Sequence, residues 1–505
     1  MVDGRIAWCG PDRDAAGIGA SASADLDGAL VLPGFVDAHV HVTETGLLLA
    51  GLDLSTARSV TEVLDLVAAA ARARPGRAVL GHGWDELRFA EGRPPTAAEL
   101  DRAAPGREVY LSRVDVHSAV VSGALAQRCD LAALAGWDPS GRIERDAHHA
   151  ARHVTRFALE PGDRQTLQRL ALRAAVATGI TQVHEMSAPH VAPDTDLAAL
   201  VALVARPGDG GALPEVVPYR GELARDEAHA RRIVAELAEA GLPRLAGLAG
   251  DLMVDGSIGS RTAALTEDYT DAPGHRGHLY LDRDEIRDHV LACTRAGLQA
   301  GFHVIGDAAV TSVLAGFEAA AAVLGPEAIR AGRHRLEHLE AVDAAGVAVA
   351  ARLGLIASVQ PGFDAAWGGP DRMYAVRLGP DRAAGLNPFA ALAAAGVELA
   401  FGSDSPVTPF APWETIRAAL AHRTGDHRLD LPTALSAHLA PHPGRGDVGL
   451  RVGDPATFAA WRSPGLRAAA PGRETAALTE ELGSGDAVPA CVLTVIRGAV
   501  AFEPS

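Results

Sequence analysis

No lysine occurs in the 505-residue chain, so its 46 basic residues are all arginine. The bias toward Ala, Gly, Arg and Pro is genomic in character, yet it denies the chain a lysine for any metal site. Cysteine is scarce as well: Cys9, Cys129, Cys293 and Cys491 are scattered without CxxC spacing. That excludes a disulfide framework and a cysteine zinc site. Basic runs are missing and the formal charge is -17, whereas phosphate-backbone binding needs clustered cations. Nucleic acid is therefore not an expected partner. No uninterrupted apolar stretch reaches the roughly 18 residues of a membrane span, and MVDGRIAWCG lacks the basic and apolar pattern of a signal peptide. A cytoplasmic protein with no membrane partner is expected.

What is present suits a packed enzyme. Hydrophobic residues make up 48% and charged residues 22% of the chain, well inside the ordered range. Short β-rich runs alternate with longer Ala/Leu/Arg stretches of helical period, the pattern of βα units around a parallel sheet. The strands are expected at GFVDAHVH (34–41), TQVHEM (181–186), EVVPYR (215–220), GDLMVDG (250–256), GFHVIG (301–306), HRLEHLE (334–340), LIASVQP (355–361) and ELAFGSD (398–404). Eight such units imply an α/β fold closed as a (β/α)8 TIM-type barrel, over residues 33–444. About 140 residues separate the first strand from the second, far more than a barrel crossover needs. An inserted subdomain at about 80–165 accounts for them. Residues 1–32 and 445–505 are short β-type pieces expected to pair as a small β-sandwich, with 463–487 as loop and Asp454 in a turn.

Alternate residues of a strand face the same way, so His39 and His41 of HVH point together into the barrel mouth. Catalytic residues in such barrels come from the C-terminal ends of different strands. His303, His338 and Asp404 lie on the fifth, sixth and eighth. Each alone has a structural reading, as a core histidine or a turn-forming aspartate; their joint placement argues for a metal site. A mixed imidazole and carboxylate set suits zinc first, with iron or manganese as alternatives. Such an ion lowers the pKa of a bound water to about 7 and polarises a carbonyl. Asp404 is placed to carry the proton from that water to a leaving amine.

The segments PGFVDAHVH, FHVIGD, RLEHLE and FGSDSPV resemble the amidohydrolase superfamily. GWDE, VDVHSAVVSGAL and DGSIGSRTAAL narrow the likeness to amidohydrolase family 3, on the branch of the N-substituted formamide deformylases. The likeness covers nearly the whole chain. It implies a metal-bearing barrel, a small β-sandwich formed from both termini, for which relatives usually have an extra strand or two before the segment matching DGRIAWCG, and hydrolysis of an amide or related C–N bond in a small molecule. It assigns metal ligation to His39, His41, His303, His338 and Asp404. Members with two metals commonly bridge them with a carboxylated lysine on the fourth strand; the matching residue here is Asp251. Two arrangements stay open: one ion, with His338 free for substrate, or two ions bridged by Asp251.

Further residues carry paired readings. Asp255 and Arg261 either orient substrate or form a loop ion pair. His117 belongs either to a lid over the site or to the surface. Trp84 and Asp85 either line a pocket or pack the insertion. Asp307 is a helix-capping candidate, and only one of His184 and Glu185 can face inward. Deamination of an amino-heterocycle is the rival chemistry. A non-catalytic binding barrel is a third reading, although it would be expected to shed a ligand and none is missing. A homodimer is the candidate assembly.

Overall fold

The computed structural model describes all residues except 16, 158–160, 207–210, 243, 440–448, 469–472, 485–486 and 505. Eight strands form one parallel sheet in sequence order: β1 (Phe35–Val40), β2 (Ile180–Ser187), β3 (Glu215–Arg220), β4 (Gly247–Leu248), β5 (Gln299–Val304), β6 (Arg335–His338), β7 (Ile356–Val359) and β8 (Glu398–Phe401). Every residue of β1 and β6 is buried, as expected for parallel strands covered on both faces. The sheet closes where β1 meets the chain just beyond β8. There Val40 bridges Ser405, the Asp404 N–H donates to the His39 carbonyl (2.8 Å), and the His41 N–H donates to the Ser405 carbonyl (3.0 Å).

The fourth strand departs from expectation. It occupies Gly247–Leu248 rather than 250–256, because Gly250 turns the chain at φ +87°. A side chain there would also strike Met186, whose Sδ lies 2.6 Å from the Cβ position. Beyond the turn only Met253 keeps a bridge, to His303 of β5. Asp251 therefore sits on the irregular segment that leads from β4 into the barrel mouth.

Between the helix after β1 (Val42–Ala50) and the helix before β2 (Pro161–Val176) lies a second, five-stranded sheet. Its strands are Leu52–Asp53, Val79–Trp84, Val109–Arg113, Ser118–Val121 and Arg142–Glu144, so it begins well before residue 80. Its own core includes Leu54, Val63, Val67, Trp84, Leu100 and Leu111. Ser59 caps its first helix, and a Thr96/Glu99 capping box starts the next, satisfying orphan N–H groups at each start.

Both chain ends contribute to one four-stranded antiparallel sheet, Leu30–Pro33, Phe458–Arg462, Ala490–Ile496 and Ala499–Phe502. Where a sandwich was expected, the described residues give this single layer with isolated bridges at Val2–Arg5 and Arg5–Pro455 beside it. Its Trp461 is fully buried against Phe35 and Trp413, which joins the layer to the barrel. The segment expected as loop at 463–487 instead forms helices Pro464–Ala468 and Glu474–Ser484; ETAALTEEL is a run of good helix formers apart from its threonines. The boundary expected at 444/445 lies outside the described residues. Among the described residues, one helix, Asp307–Leu324, is long and apolar enough to cross a membrane by length and composition. Here its Val310, Val313 and Phe317 are buried in the barrel's core.

Candidate metal centre and active site

The C-terminal ends of β1, β5, β6 and β8 deliver four histidines and an aspartate to one place, and the segment after β4 adds Asp251. His39 Nε2 lies 3.5 Å from both Asp251 Oδ1 and Asp404 Oδ1. His41 Nε2 is 3.3 Å from Asp251 Oδ2 and 3.3 Å from Asp404 Oδ1. His303 Nδ1 stands 3.7 Å from Asp251 Oδ1, and the His303 and His338 rings are 4.5 Å apart. Three sets have ligand atoms within 4.8 Å of one another: His39, His41 and Asp251; His39, His338 and Asp404; Asp251, His303 and His338.

These groups fit a divalent cation. His39 Nε2, Asp251 Oδ1 and Asp404 Oδ1 are buried without a hydrogen-bond partner among the described residues, a costly state unless something else meets them. The outer nitrogens, by contrast, are held. His39 Nδ1 is 2.9 Å from Glu337 Oε2, and His338 Nδ1 is 2.7 Å from Gln360 Oε1. Carboxylate or amide support of this kind fixes the tautomer and turns the opposite nitrogen toward a metal. Burial opposes charge on His39 and His41, but Asp404 and Asp251 overcome it and raise both. Burial, with His303 and His39 beside it, holds His338 at about 3 and thus neutral.

Backbone strain accompanies the site. Asp404 has φ +53° and His338 φ +71°, each left-handed, at a cost of order 1–3 kcal/mol. The Asp404 N–H bond to His39 O and the Leu339 N–H bond to Val304 O (2.9 Å) hold these turns in place.

Glu337 belongs to a polar string inside the barrel. Arg335 pairs with it (Nε to Oε1, 2.5 Å), donates to Ala38 O and Ser358 Oγ, meets His184 Nδ1 at 3.1 Å, and lies 4.7 Å over the Tyr219 ring. His184 is thus the inward member of its pair; Glu185 instead accepts the Val42 N–H (2.8 Å) at the start of the helix after β1.

Of the other candidates, His117 reaches the site, its ring 5.1 Å from that of His303. It stands on the turn between Val109–Arg113 and Ser118–Val121, next to Val116 at φ +54°. Asp115 anchors this turn to the barrel by accepting from Ser257 Oγ (2.7 Å) and Ser260 Oγ (2.8 Å). Gly259 makes that approach feasible, since its Cβ would fall 2.6 Å from Arg113 Nη1. Burial and nearby His303 hold His117 at about 4, so it is a neutral imidazole.

Three substrate-binding candidates have structural partners instead. Trp84 is buried and donates Nε1–H to Leu111 O (2.8 Å) within the insertion core. Arg261 makes a two-point pair with Asp271 (3.0 and 2.7 Å). Asp255, fully buried, accepts the N–H groups of Ala264 (2.9 Å), Ile305 (3.0 Å) and Gly306 (2.7 Å). Neighbouring Asp85 pairs with Arg113 at 3.0 Å, and Asp307 receives the Thr266 N–H at 3.0 Å. Asp255→Ala is expected to leave three buried donors unmet and to lower stability by about 3 kcal/mol or more, read as a fall in the urea midpoint.

Sequence reasoning missed Glu337, Gln360 and Asp115. The alternation of Arg335 and Glu337 along β6 was a usable signal for the first; Gln360 and Asp115 act across elements and left none.

Comparison with known proteins agrees with this geometry. The profile of the amidohydrolase family matches residues 23–502. The putative amidohydrolase YtcJ of Bacillus subtilis is 27% identical over 434 residues, covering 82% of this chain and 78% of that protein. The N-substituted formamide deformylase of Arthrobacter pascens is 25% identical over 445 residues, with 83% and 79% covered. Among solved structures, an uncharacterized metal-dependent hydrolase from Pyrococcus horikoshii OT3 superposes with a TM-score of 0.69 at 26% identity, over 92% of this chain and 93% of that one. A family match across nearly the whole chain, on a barrel whose mouth gathers histidines and carboxylates, means that the protein belongs to the amidohydrolase family and is a metal-dependent hydrolase of non-peptide C–N bonds.

Proposed function

We propose that the site holds a pair of divalent ions, zinc foremost, sharing Asp251, and that it hydrolyses a small N-formyl or N-acyl amine. The observation that carries the pair is the double membership of Asp251: it groups with His39 and His41 on one side and with His303 and His338 on the other. Its reach comes from backbone position. Because β4 stops at Leu248, Asp251 lies three residues beyond the strand end, which brings a short carboxylate to where a longer side chain would otherwise be needed.

When bound, such ions supply Lewis acidity toward a carbonyl oxygen and a water acidic enough to ionise near neutral pH. The remaining work falls to the protein. Asp404, through its unpartnered Oδ1, takes a proton from the attacking water and returns it to the leaving nitrogen. Glu337 and Gln360 hold the rings of His39 and His338. His117 faces the substrate from the insertion, as a neutral group able to donate one hydrogen bond.

The formamide class rests on the likeness to the Arthrobacter pascens deformylase. The deaminase alternative has a fold-level likeness alone, to an adenosine deaminase at 14% identity. The test is a panel of N-substituted formamides and N-acyl amines, given to chelator-stripped protein before and after zinc is restored. Release of amine together with formate or carboxylate, only with metal, is the expected result. Ammonia from an amino-heterocycle would favour the deaminase, and no turnover by metal-loaded protein would sink the hydrolytic assignment of substrate class.

A further inference from the structure

A cavity of about 240 Å³ opens where the insertion meets the segments that follow β4 and β7. Six charged side chains line it: Arg93, Arg142, Arg261 and Arg377 against Glu86 and Asp271. Both carboxylates are already spent. Glu86 lies between Arg377 (2.6 Å) and Arg113 (2.9 Å), and Asp271 between Arg261 (2.7 Å) and Arg377 (2.5 Å). Arg93 is spent as well, on a two-point pair with Glu99 (2.9 and 2.8 Å). With that pair set aside, three guanidiniums on the wall face two carboxylates, an excess of one positive charge.

Arg142 is the unsatisfied member. It begins the short insertion strand Arg142–Glu144, and its side chain is 31% exposed. Its Nε is buried with no partner among the described residues, its Nη2 reaches the Ser260 carbonyl only at 3.5 Å, and Glu144 stands 3.8 Å away, beyond hydrogen-bonding distance. An arginine that served only to strut the insertion against the barrel would close on a carboxylate, as Arg377 does on Glu86. Arg261, next in sequence to Ser260, also has a nitrogen to spare, since Asp271 takes its Nε and Nη2 and leaves Nη1. Leu87 and Val376, 40% and 38% exposed, give the same cavity an apolar face.

We propose that this cavity is a binding site, separate from the metal centre, for a small organic carboxylate. The carboxylate lies between Arg142 of the insertion and Arg261 of the barrel loop, with a short apolar body against Leu87 and Val376. A guanidinium presents a planar fork that matches a carboxylate at two points, and such charge-assisted bonds are about twice as strong as neutral ones. Space is sufficient, because about 150 Å³ already holds a benzene ring. A ligand here also joins two parts of the active-site wall. Ser260, which Arg142 approaches, binds Asp115 through its hydroxyl (2.8 Å), and the Asp115 turn sets His117 beside His303. Occupancy therefore draws the insertion onto the barrel at the edge of the metal centre.

Calorimetric titration of the metal-loaded protein with benzoate and with benzamide, its neutral counterpart, tests the site. Acetohydroxamate is held in excess throughout, so that the metal ions are occupied and closed to carboxylates. Benzoate is expected to bind at least about tenfold tighter than benzamide, the margin of one charge-assisted bond. Arg142→Gln should bring the two affinities together while turnover without benzoate is unchanged. Leu87→Asp places a like charge at an exposed position and should weaken benzoate more than benzamide; it decides if Arg142→Gln does not fold. No benzoate binding, equal affinities for the two probes, or a preference that survives in folded Arg142→Gln would overturn the proposal. Each of those results would leave the hydrolase assignment standing, since that is read from metal-dependent turnover of the amide panel.

Discussion

Asp404→Asn is expected to lower kcat by about 10²–10⁴-fold, the range set by losing a positioned proton carrier, while the melting temperature stays near that of the parent. The substitution isolates chemistry from shape. Residue 404 sits at φ +53°, and asparagine is one of the few residues that tolerate the left-handed region, so the turn linking β8 to β1 survives. The amide keeps the size of the carboxylate but cannot take a proton from water. Steady-state kinetics, metal content and thermal unfolding on the same sample separate the cases: full activity would exclude Asp404 as the proton carrier, and a collapsed melting temperature would mean that its role is structural.

Glu337→Gln is expected to weaken metal binding by about 10–100-fold, the usual effect of losing the group that orients a ligating histidine. It should also destabilise the protein by roughly 3 kcal/mol, because it takes the charge from one partner of a buried ion pair. Glu337 and Arg335 are 0% and 2% exposed, so no solvent is available to replace the lost partner. Chelator competition measures the first effect and urea unfolding the second. Unchanged metal affinity alongside lowered stability would limit Glu337 to the barrel's interior packing.

Much of this site was legible because strands impose a period of two. His39 and His41 are two apart at the end of β1 and do point the same way, and His303 and Asp404 lie at the ends of strands whose apolar runs are plain in the sequence. Other features follow from backbone conformations that a pattern does not reveal. His338 and Glu337 are adjacent and should face opposite sides, yet both support the centre; the left-handed His338 breaks the alternation. Gly250 does the same for β4, cutting the expected strand and setting Asp251 in the mouth. Contacts between distant segments were the least visible. The insertion's first strand has only two residues, Leu52–Asp53, too few for a periodic signal, and the descent of His117 onto His303 depends on Asp115 meeting two serines of the DGSIGS loop. Arg261, Trp84 and Asp255 show the converse: residue types that suit substrate binding are held here by Asp271, a carbonyl and three backbone N–H groups.

In the two-ion centre proposed above, Asp251 takes the place that a lysine cannot fill in this chain, grouping with His39 and His41 and with His303 and His338. Anomalous diffraction from crystals of the zinc-loaded protein, collected on both sides of the zinc edge, reads the ion count and positions directly. The predicted result is two peaks per chain, one beside His39 and His41 and one beside His303 and His338, with the Asp251 carboxylate contacting both. A single peak with Asp251 turned away, or peaks elsewhere on the barrel, would contradict it.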